Sequence, residues 1–484
     1  MRNLLCLALS LLACAPMLAQ AQANPARPAR PNVLLVIADD LSAEALTSYG
    51  NTRAITPNLD KLAERGTVMD RAYCQFPVCG PARAALLSGL YPQQNKVTGN
   101  SDKDILSNSL GEHPTLPQYF KQNGYTTARC GKLYHMRVPG HITAGTHGPD
   151  HPASWTERYS FQAPEQWTPG KTAHLSGEKL KPDPDRSIHY ALGYGAAFYV
   201  VEDPTDGREQ HDVQATDKAI ELLAKYKRAG EPFFLAVGYV RPHVPFVAPD
   251  KYFAPFETDK MQLPEQVEDD LADIPRMGWS RLGTRSGTDT DAKRKGVLRG
   301  YHASVSFMDA QLGRLLDTLD KQGLSKNTIV IFLSDHGYHL GEHDFWQKMS
   351  LHEESVRIPL IAAGPGIEPG QRWPGLVESV DIYPTLCLMA GLPIPEACAG
   401  TLLYGMKDDP KHTAYAYLGR GHLLRTRDWA YMRYRDGSEE LYDMNNDPKQ
   451  FRNLVGDDAS VEVLKQMSGL LDQKLKTIEQ HVLD

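Results

Sequence analysis

Residues Val33-Leu34-Leu35-Val36-Ile37-Ala38 form an unbroken apolar, largely branched run, the pattern of a strand buried on both faces. Thr56-Pro57 then starts a helix by N-cap and first-turn preference, Leu59, Leu62 and Ala63 share one face of it, and Gly66 ends it. Strand-like runs recur at 125–129, 233–239, 328–333 and 358–362. Between the later ones lies a long helical pattern with Tyr301, Val305, Met308, Leu312, Leu315 and Leu319 inward. Strands alternating with helices imply an α/β fold with a mostly parallel sheet flanked by helices.

From about residue 401 the texture changes. Trp429-Ala430-Tyr431-Met432-Arg433-Tyr434 and Glu440-Leu441-Tyr442-Asp443 alternate like antiparallel strands, and 461–482 reads as an amphipathic helix. The expectation is a large domain over 32–400 and a smaller α+β domain with an antiparallel sheet over 401–484. Two segments, 137–215 and 254–295, are rich in His, Pro, Gly and Asp without clear periodicity. In a compact protein such long loops build the rim of a binding site.

Ligands of open α/β sheets bind beyond the carboxyl ends of the strands, and unusual polar residues fall there. Asp39-Asp40 follows the first run, Lys132 and His135 follow the run at 125–129, His243 follows 233–239, and Asp335-His336 follows 328–333. A carboxylate pair after a strand is ordinarily a turn or a cap. Four exits converging on acids, histidines and a lysine are harder to explain as loop decoration. Asp39, Asp40 and Asp335 together suit a divalent cation, since calcium takes 6–8 oxygen ligands, whereas the imidazole of His336 suits zinc better. His113, His141, His147, His151 and His302 read as ordinary surface or packing histidines.

Residues 1–23 read as a secretory signal: Arg2 is the positive start, 4–12 the apolar run, and Ala21-Gln22-Ala23 the cleavage site. The run is far shorter than the ~20 residues of a membrane span. Export to the periplasm or medium is expected, with lipid anchoring at Cys14, within Leu11-Leu12-Ala13-Cys14, as the minority alternative. Residues 24–31 are a Pro/Ala/Arg linker. The formal charge is −7, one unit more negative without Arg2, which argues against non-specific nucleic-acid binding. An anionic substrate must therefore meet a local cluster of cations. Of seven cysteines, Cys6 and Cys14 lie in the leader. The odd remainder suggests one cysteine with a separate fate. Cys79 is that candidate, beside Cys74, Cys130, Cys387 and Cys398, and a Cys387–Cys398 disulfide is one possibility.

Cys79-Gly80-Pro81-Ala82-Arg83-Ala84-Ala85-Leu86-Leu87-Ser88-Gly89 has the form C-x-P-x-R-x-x-x-L-[ST]-G. Pro81 suits a first helical turn, so a helix N-terminus would face an anion, and Arg83 lies one turn beyond Cys79. This stretch resembles the signature of the type I sulfatases of the alkaline phosphatase superfamily, in which the cysteine is oxidised to Cα-formylglycine. Gly131-Lys132-Leu133-Tyr134-His135 resembles that family's G-K-x-x-H segment, and Pro242-His243-Val244-Pro245-Phe246 its P-H-x-P-[FY] segment. Asp335-His336, where many members carry Asp-Asn, followed by Trp346-Gln347-Lys348, looks most like the iduronate-2-sulfatase branch. Glu440-Leu441-Tyr442-Asp443 with Asp447-Pro448 is common across the family.

The resemblance implies Cys79, Arg83, Lys132, His135, His243 and Lys348 as catalytic residues. It implies Asp39, Asp40, Cys79, Asp335 and His336 around one divalent cation, most often Ca2+. It also implies a sulfated saccharide substrate, 2-O-sulfated uronic acid above all, and a formylglycine-generating enzyme as partner. The hydrate of an aldehyde carries two hydroxyls on one carbon: one attacks sulfur, and the other loses its proton so that the carbon collapses to aldehyde and expels sulfate. In that scheme Arg83 and Lys132 hold the hydrate and sulfate, Lys348 also binds sulfate, His135 takes the proton and His243 protonates the leaving alcohol. Aryl or choline sulfates, phosphate or phosphonate monoesters on the same fold, and a catalytically silent carbohydrate-binding relative are the competing readings.

Overall fold

The computed structural model describes residues 30–101, 105–176, 197–280, 288–403 and 411–480. The leader, most of the 24–31 linker and Cys14 lie outside the described residues, so the export reading stays an expectation. Among the described residues no helix is long and apolar enough to cross a membrane.

The large sheet is assembled from β1 (Asn32–Asp39), β2 (Gly66–Tyr73), β3 (Thr126–Gly131), β4 (Glu157–Tyr159), β5 (Phe233–Pro242), β6 (Thr328–Ser334), β7 (Arg357–Ile358), β8 (Leu360–Ala363) and β9 (Gln371–Glu378). Its order is β7-β2-β8-β6-β1-β5-β3-β4, with β9 beside β2. Every strand but β7 and β8 runs in one direction. Val33–Ala38 is wholly buried in the centre, as a strand covered on both faces requires. Helices α1 (Pro57–Glu64), α2 (Cys79–Ser88), α3 (His211–Ala229), α4 (Asp291–Lys321) and α5 (Ile382–Ala390) cover it. Leu222, Tyr301 and Leu312 pack on one face, and Ala82, Leu86 and Leu386 on the other.

Four local expectations are corrected. Thr56 sits at the N-cap of α1, but its side chain makes no capping bond. Asp309 of α4 accepts from Asn58 N at 3.1 Å and Leu59 N at 2.8 Å instead. Gly66 does not end that helix but opens β2, pressed so close that a Cβ there would lie 2.1 Å from the Ala362 carbonyl. The run at 358–362 breaks at Pro359 into β7 and β8. The described residues of 137–215 are also more than a loop: they include the strands Lys171–His174 and Tyr199–Asp203, which join Phe246–Pro249 in a small sheet, and the start of α3.

A separate four-stranded antiparallel sheet follows near the C-terminus: β10 (Ala414–Leu418), β11 (Gly421–Arg425), β12 (Trp429–Tyr434) and β13 (Glu439–Asp443). Helix α6 (Val461–Gln480) lays Met467, Leu471 and Ile478 against its Tyr415, Leu424, Tyr431 and Leu441. The Tyr417 N–H donates to the Gln75 carbonyl at 2.9 Å, tying β10 to the segment that leaves β2. Cys74, Cys79, Cys130, Cys387 and Cys398 are all free thiols, so the Cys387–Cys398 disulfide is not formed here.

Candidate active site

Strands β1, β2, β3, β5 and β6 deliver their carboxyl ends to one edge, and the polar residues gather there. Asp40, just past β1, takes a left-handed backbone (φ 65°). The Tyr301 hydroxyl of α4 fixes that turn by donating to the Asp40 carbonyl at 2.7 Å while accepting from Ser42 N at 2.8 Å. β6 ends at Ser334, whose hydroxyl accepts from Leu41 N and donates to the His336 carbonyl. Asp335 Oδ1 accepts from Asp40 N at 3.2 Å and His336 N at 3.0 Å. The two strand exits are therefore locked together by backbone-to-side-chain bonds.

Cys79 is the first residue of α2, and the Gly80 N–H beside it donates to Asn100 Oδ1 at 2.7 Å. Its Sγ lies 3.2 Å from His336 Nε2 and 3.3 Å from Lys348 Nζ. His336 Nδ1 faces the Gly337 carbonyl at 2.8 Å. Its Nε2 also lies 3.3 Å from Asp40 Oδ1. Arg83 Nε donates to Asp335 Oδ2 at 2.8 Å, and its Nη1 reaches the Lys132 carbonyl. Lys132 Nζ meets Asp39 Oδ2, and Lys348 Nζ meets Asp40. His243 Nε2 stands 3.7 Å from Asp40 Oδ2, with Nδ1 on the Val244 carbonyl.

Three carboxylates and three cations, all nearly or wholly buried, thus interleave around one thiol. Burial by itself raises a carboxyl, but Lys132, His243 and Arg83 hold Asp39 well below the usual range, and His243 and Lys348 lower Asp40. Burial, with Asp39 beside it, pushes the Cys79 thiol far up. An unmodified Cys79 is therefore a neutral thiol, a weak nucleophile. Burial also brings His243 down to about 4 and drives His135 well below its ordinary value, the latter helped by Lys132.

The donor set fits a divalent cation. The ligand atoms of Asp39, Cys79, Asp335 and His336 lie within 4.8 Å of one another, as do those of Asp40, Cys79 and His243. Among the described residues Asp39 Oδ1 is buried without a hydrogen-bond partner, with Arg83 Nη2 3.5 Å away. Anionic oxygens and one neutral imidazole nitrogen suit such an ion.

All the residues expected at the site from sequence, His135 excepted, lie in this chain of contacts. His135 shares the electric field, yet its Nδ1 has no hydrogen-bond partner among the described residues. The five histidines read as ordinary do ordinary work: His302, for instance, stacks on Phe256 and His151 meets Ser154 Oγ. Sequence reasoning missed Asn100, Ser334 and Tyr301 as supports. It also missed Asp212, which accepts from Val240 N at 2.8 Å and Arg241 N at 3.0 Å and so aims the turn carrying His243. Only Ser334, beside Asp335, carried a local signal. A cavity of about 370 Å³ lined by Tyr49, His302, Glu342, Glu354 and Lys449 includes none of the cluster residues.

Comparison with known proteins places this arrangement. The family model described as "Sulfatase" matches residues 31–392, and one described as "N-sulphoglucosamine sulphohydrolase, C-terminal" matches 341–477. A sulfatase of Formosa agariphila is 32% identical over 90% of this chain and 86% of its own. Iduronate 2-sulfatase of Homo sapiens is 34% identical over 82% and 76%. Among solved structures, a phosphonate monoester hydrolase from Silicibacter pomeroyi superposes with a TM-score of 0.74 at 21% identity, covering 93% of this chain and 96% of its own. A 2-O GAG sulfatase superposes with a TM-score of 0.69 at 23% identity, covering 93% of each. These two show the fold. The chain belongs to the sulfatase family and is a sulfuric ester hydrolase.

Proposed function

We propose that this protein hydrolyses sulfate esters of saccharides, with Cys79 matured to formylglycine, and that its preferred group is a 2-O-sulfated uronic acid. The carrying observation is the buried cluster itself: Cys79 opens a helix between Asp40, His336 and Lys348, with Arg83 and Lys132 completing the cationic wall. The substrate class rests on the likeness to human iduronate 2-sulfatase and to the solved 2-O GAG sulfatase.

In this reading Asp39, Asp40, Asp335 and His336, with residue 79, would hold one divalent cation, most readily Ca2+, which would supply electrophilic polarisation at the sulfate. The hydrated aldehyde at position 79 supplies a nucleophilic hydroxyl and a second one for release. Lys132 and Lys348 bind the sulfate oxygens, which exchanges part of their contact with Asp39 and Asp40 for contact with the substrate anion. Arg83, fixed on Asp335, orients residue 79. His135 accepts the proton in the release step. Burial brings His243 down to about 4; an arriving sulfate favours its charged form and readies it to protonate the departing alcohol. A maturing enzyme must supply the aldehyde, since translation supplies only the thiol.

The test is sulfate release from a panel: 2-O-sulfated uronosyl oligosaccharides, 6-O-sulfated hexosamines, an aryl sulfate, choline sulfate and a phosphonate monoester. Wild type with residue 79 conversion verified by mass is run beside Cys79→Ala. Release from the uronosyl member alone, lost in the variant, is the expected result. Release from another sulfate keeps the chemistry and discards the uronate. Preference for the phosphonate, or no release from converted enzyme, discards the reading.

A further inference from the structure

Lys348 directly follows a hairpin of minimal pairing. The strands His339–Leu340 and Trp346–Gln347 pair over only two residues each. His343, Asp344, Gln347 and Met349 have φ values of 55°, 54°, 72° and 75°, a region that residues with side chains rarely enter. Two of them flank Lys348. Such backbone persists only where its surroundings over-determine it.

Those surroundings come from outside the large sheet. Ser280 Oγ donates to the Lys348 carbonyl at 2.8 Å. Arg420 Nη2, from the turn between β10 and β11, donates to the Met349 carbonyl at 2.7 Å. His352 Nε2 meets Glu440 Oε2 of β13 at 3.0 Å, and Glu440 also accepts from the hydroxyls of Tyr434 and Tyr442. Arg420 is 5% exposed and Glu440 fully buried. One anchor grips the residue after Lys348 and the other grips His352, four residues beyond Lys348, where the chain enters the short helix Glu353–Val356.

We infer that Arg420 and Glu440 are positioning residues for catalysis: the C-terminal sheet clamps Met349 and His352 and thereby fixes the Lys348 ammonium between Asp40 and Cys79. This rests on the sulfate-binding role proposed for Lys348. A lysine side chain is flexible, so the aim of its ammonium depends on how firmly its backbone is held.

The experiment uses the full, converted enzyme in five forms: wild type, Arg420→Met, Arg420→Lys, Lys348→Met and the Arg420→Met/Lys348→Met double variant. Steady-state kinetics on the best panel substrate are paired with the rise in melting temperature caused by inorganic sulfate. Arg420→Met is expected to lower kcat/KM about ten- to a hundredfold, the range for losing a charged hydrogen bond, and to weaken the sulfate-induced shift. Arg420→Lys recovers part of both. The double variant falls within about twofold of Lys348→Met, because groups acting through one another are not additive.

Losses that multiply in the double variant, or Arg420→Met within twofold of wild type on both readouts, overturn the clamp. Wild-type turnover by Lys348→Met overturns instead the role given to Lys348. If Arg420→Met does not unfold cooperatively, Glu440→Gln takes its place, and the same non-additivity with Lys348→Met decides the matter.

Discussion

The large sheet and the small C-terminal sheet bury similar side chains and serve the site in opposite ways. In the large sheet the forward strands end along one edge, so Asp39, Lys132, His243 and Asp335, far apart in sequence, arrive together at strand exits. In the small sheet β10 to β13 form a meander, and a meander divides its turns between two ends. It cannot gather polar residues from many exits, and what it offers is a rigid surface against which a weakly paired hairpin is held. Parallel strands concentrate chemistry; an antiparallel meander supports it.

That contrast breaks first at Cys79. Cys79→Ala removes the group on which the proposed reaction depends, and a loss of at least about 10⁴-fold in kcat is expected, with the unfolding midpoint nearly unchanged. Residual turnover within tenfold of wild type removes the large-sheet edge from the chemistry. Next comes Lys132→Met, which deletes one charged donor at the same edge. A loss of about 10²- to 10³-fold is expected, the size typical of removing a preorganised donor. A rise in KM with kcat intact instead marks Lys132 as a binding group only.

The small sheet answers differently. Leu424→Ala empties a fully buried position in β11 and is expected to cost about 3 kcal/mol of stability, read by denaturant unfolding, while kcat per folded molecule changes less than tenfold. A hundredfold fall in kcat makes the meander more than a support. The smallest effect concerns α4, over the large sheet. Burial, helped by Arg53, brings His302 down to about 4. The unfolded chain takes up this proton as pH falls through about 6.5, and the fold does not until about 4. Stability is therefore lost on acidification across that interval. His302→Gln is expected to remove about 2 kcal/mol of the loss between pH 7 and pH 5, and identical pH–stability curves count against it.

What was legible in the sequence follows the same division. The forward strands are continuous apolar runs, so β1, β3, β5 and β6 and the polar residues at their exits could be read directly. β2 begins with Gly66 and carries Asp70 and Arg71, while β9 contains Pro374 and Gly375, so neither shows a strand period. The capping of α1 by Asp309 joins residues 250 positions apart, and nothing local announces it. Asn100, Tyr301 and Asp212 act through backbone groups of other segments, a role without a spacing signature. The roles proposed for Arg420 and Glu440 were hidden for the same reason, since Glu-Leu-Tyr-Asp reads as family pattern rather than as a clamp.

Cys79 is 1% exposed, sealed by His336 and by Lys348, the latter 269 positions further along the chain. A ribosome adding about 5–20 residues per second takes roughly 15–50 s to cover that distance. Under the proposed maturation, the aldehyde must be installed in an interval set by translation and by closure of the fold. Specific activity then becomes a race between two clocks: a preparation made faster than its maturing enzyme can follow consists of well-folded, equally stable, inert molecules, separable from active ones by mass at residue 79 and by little else.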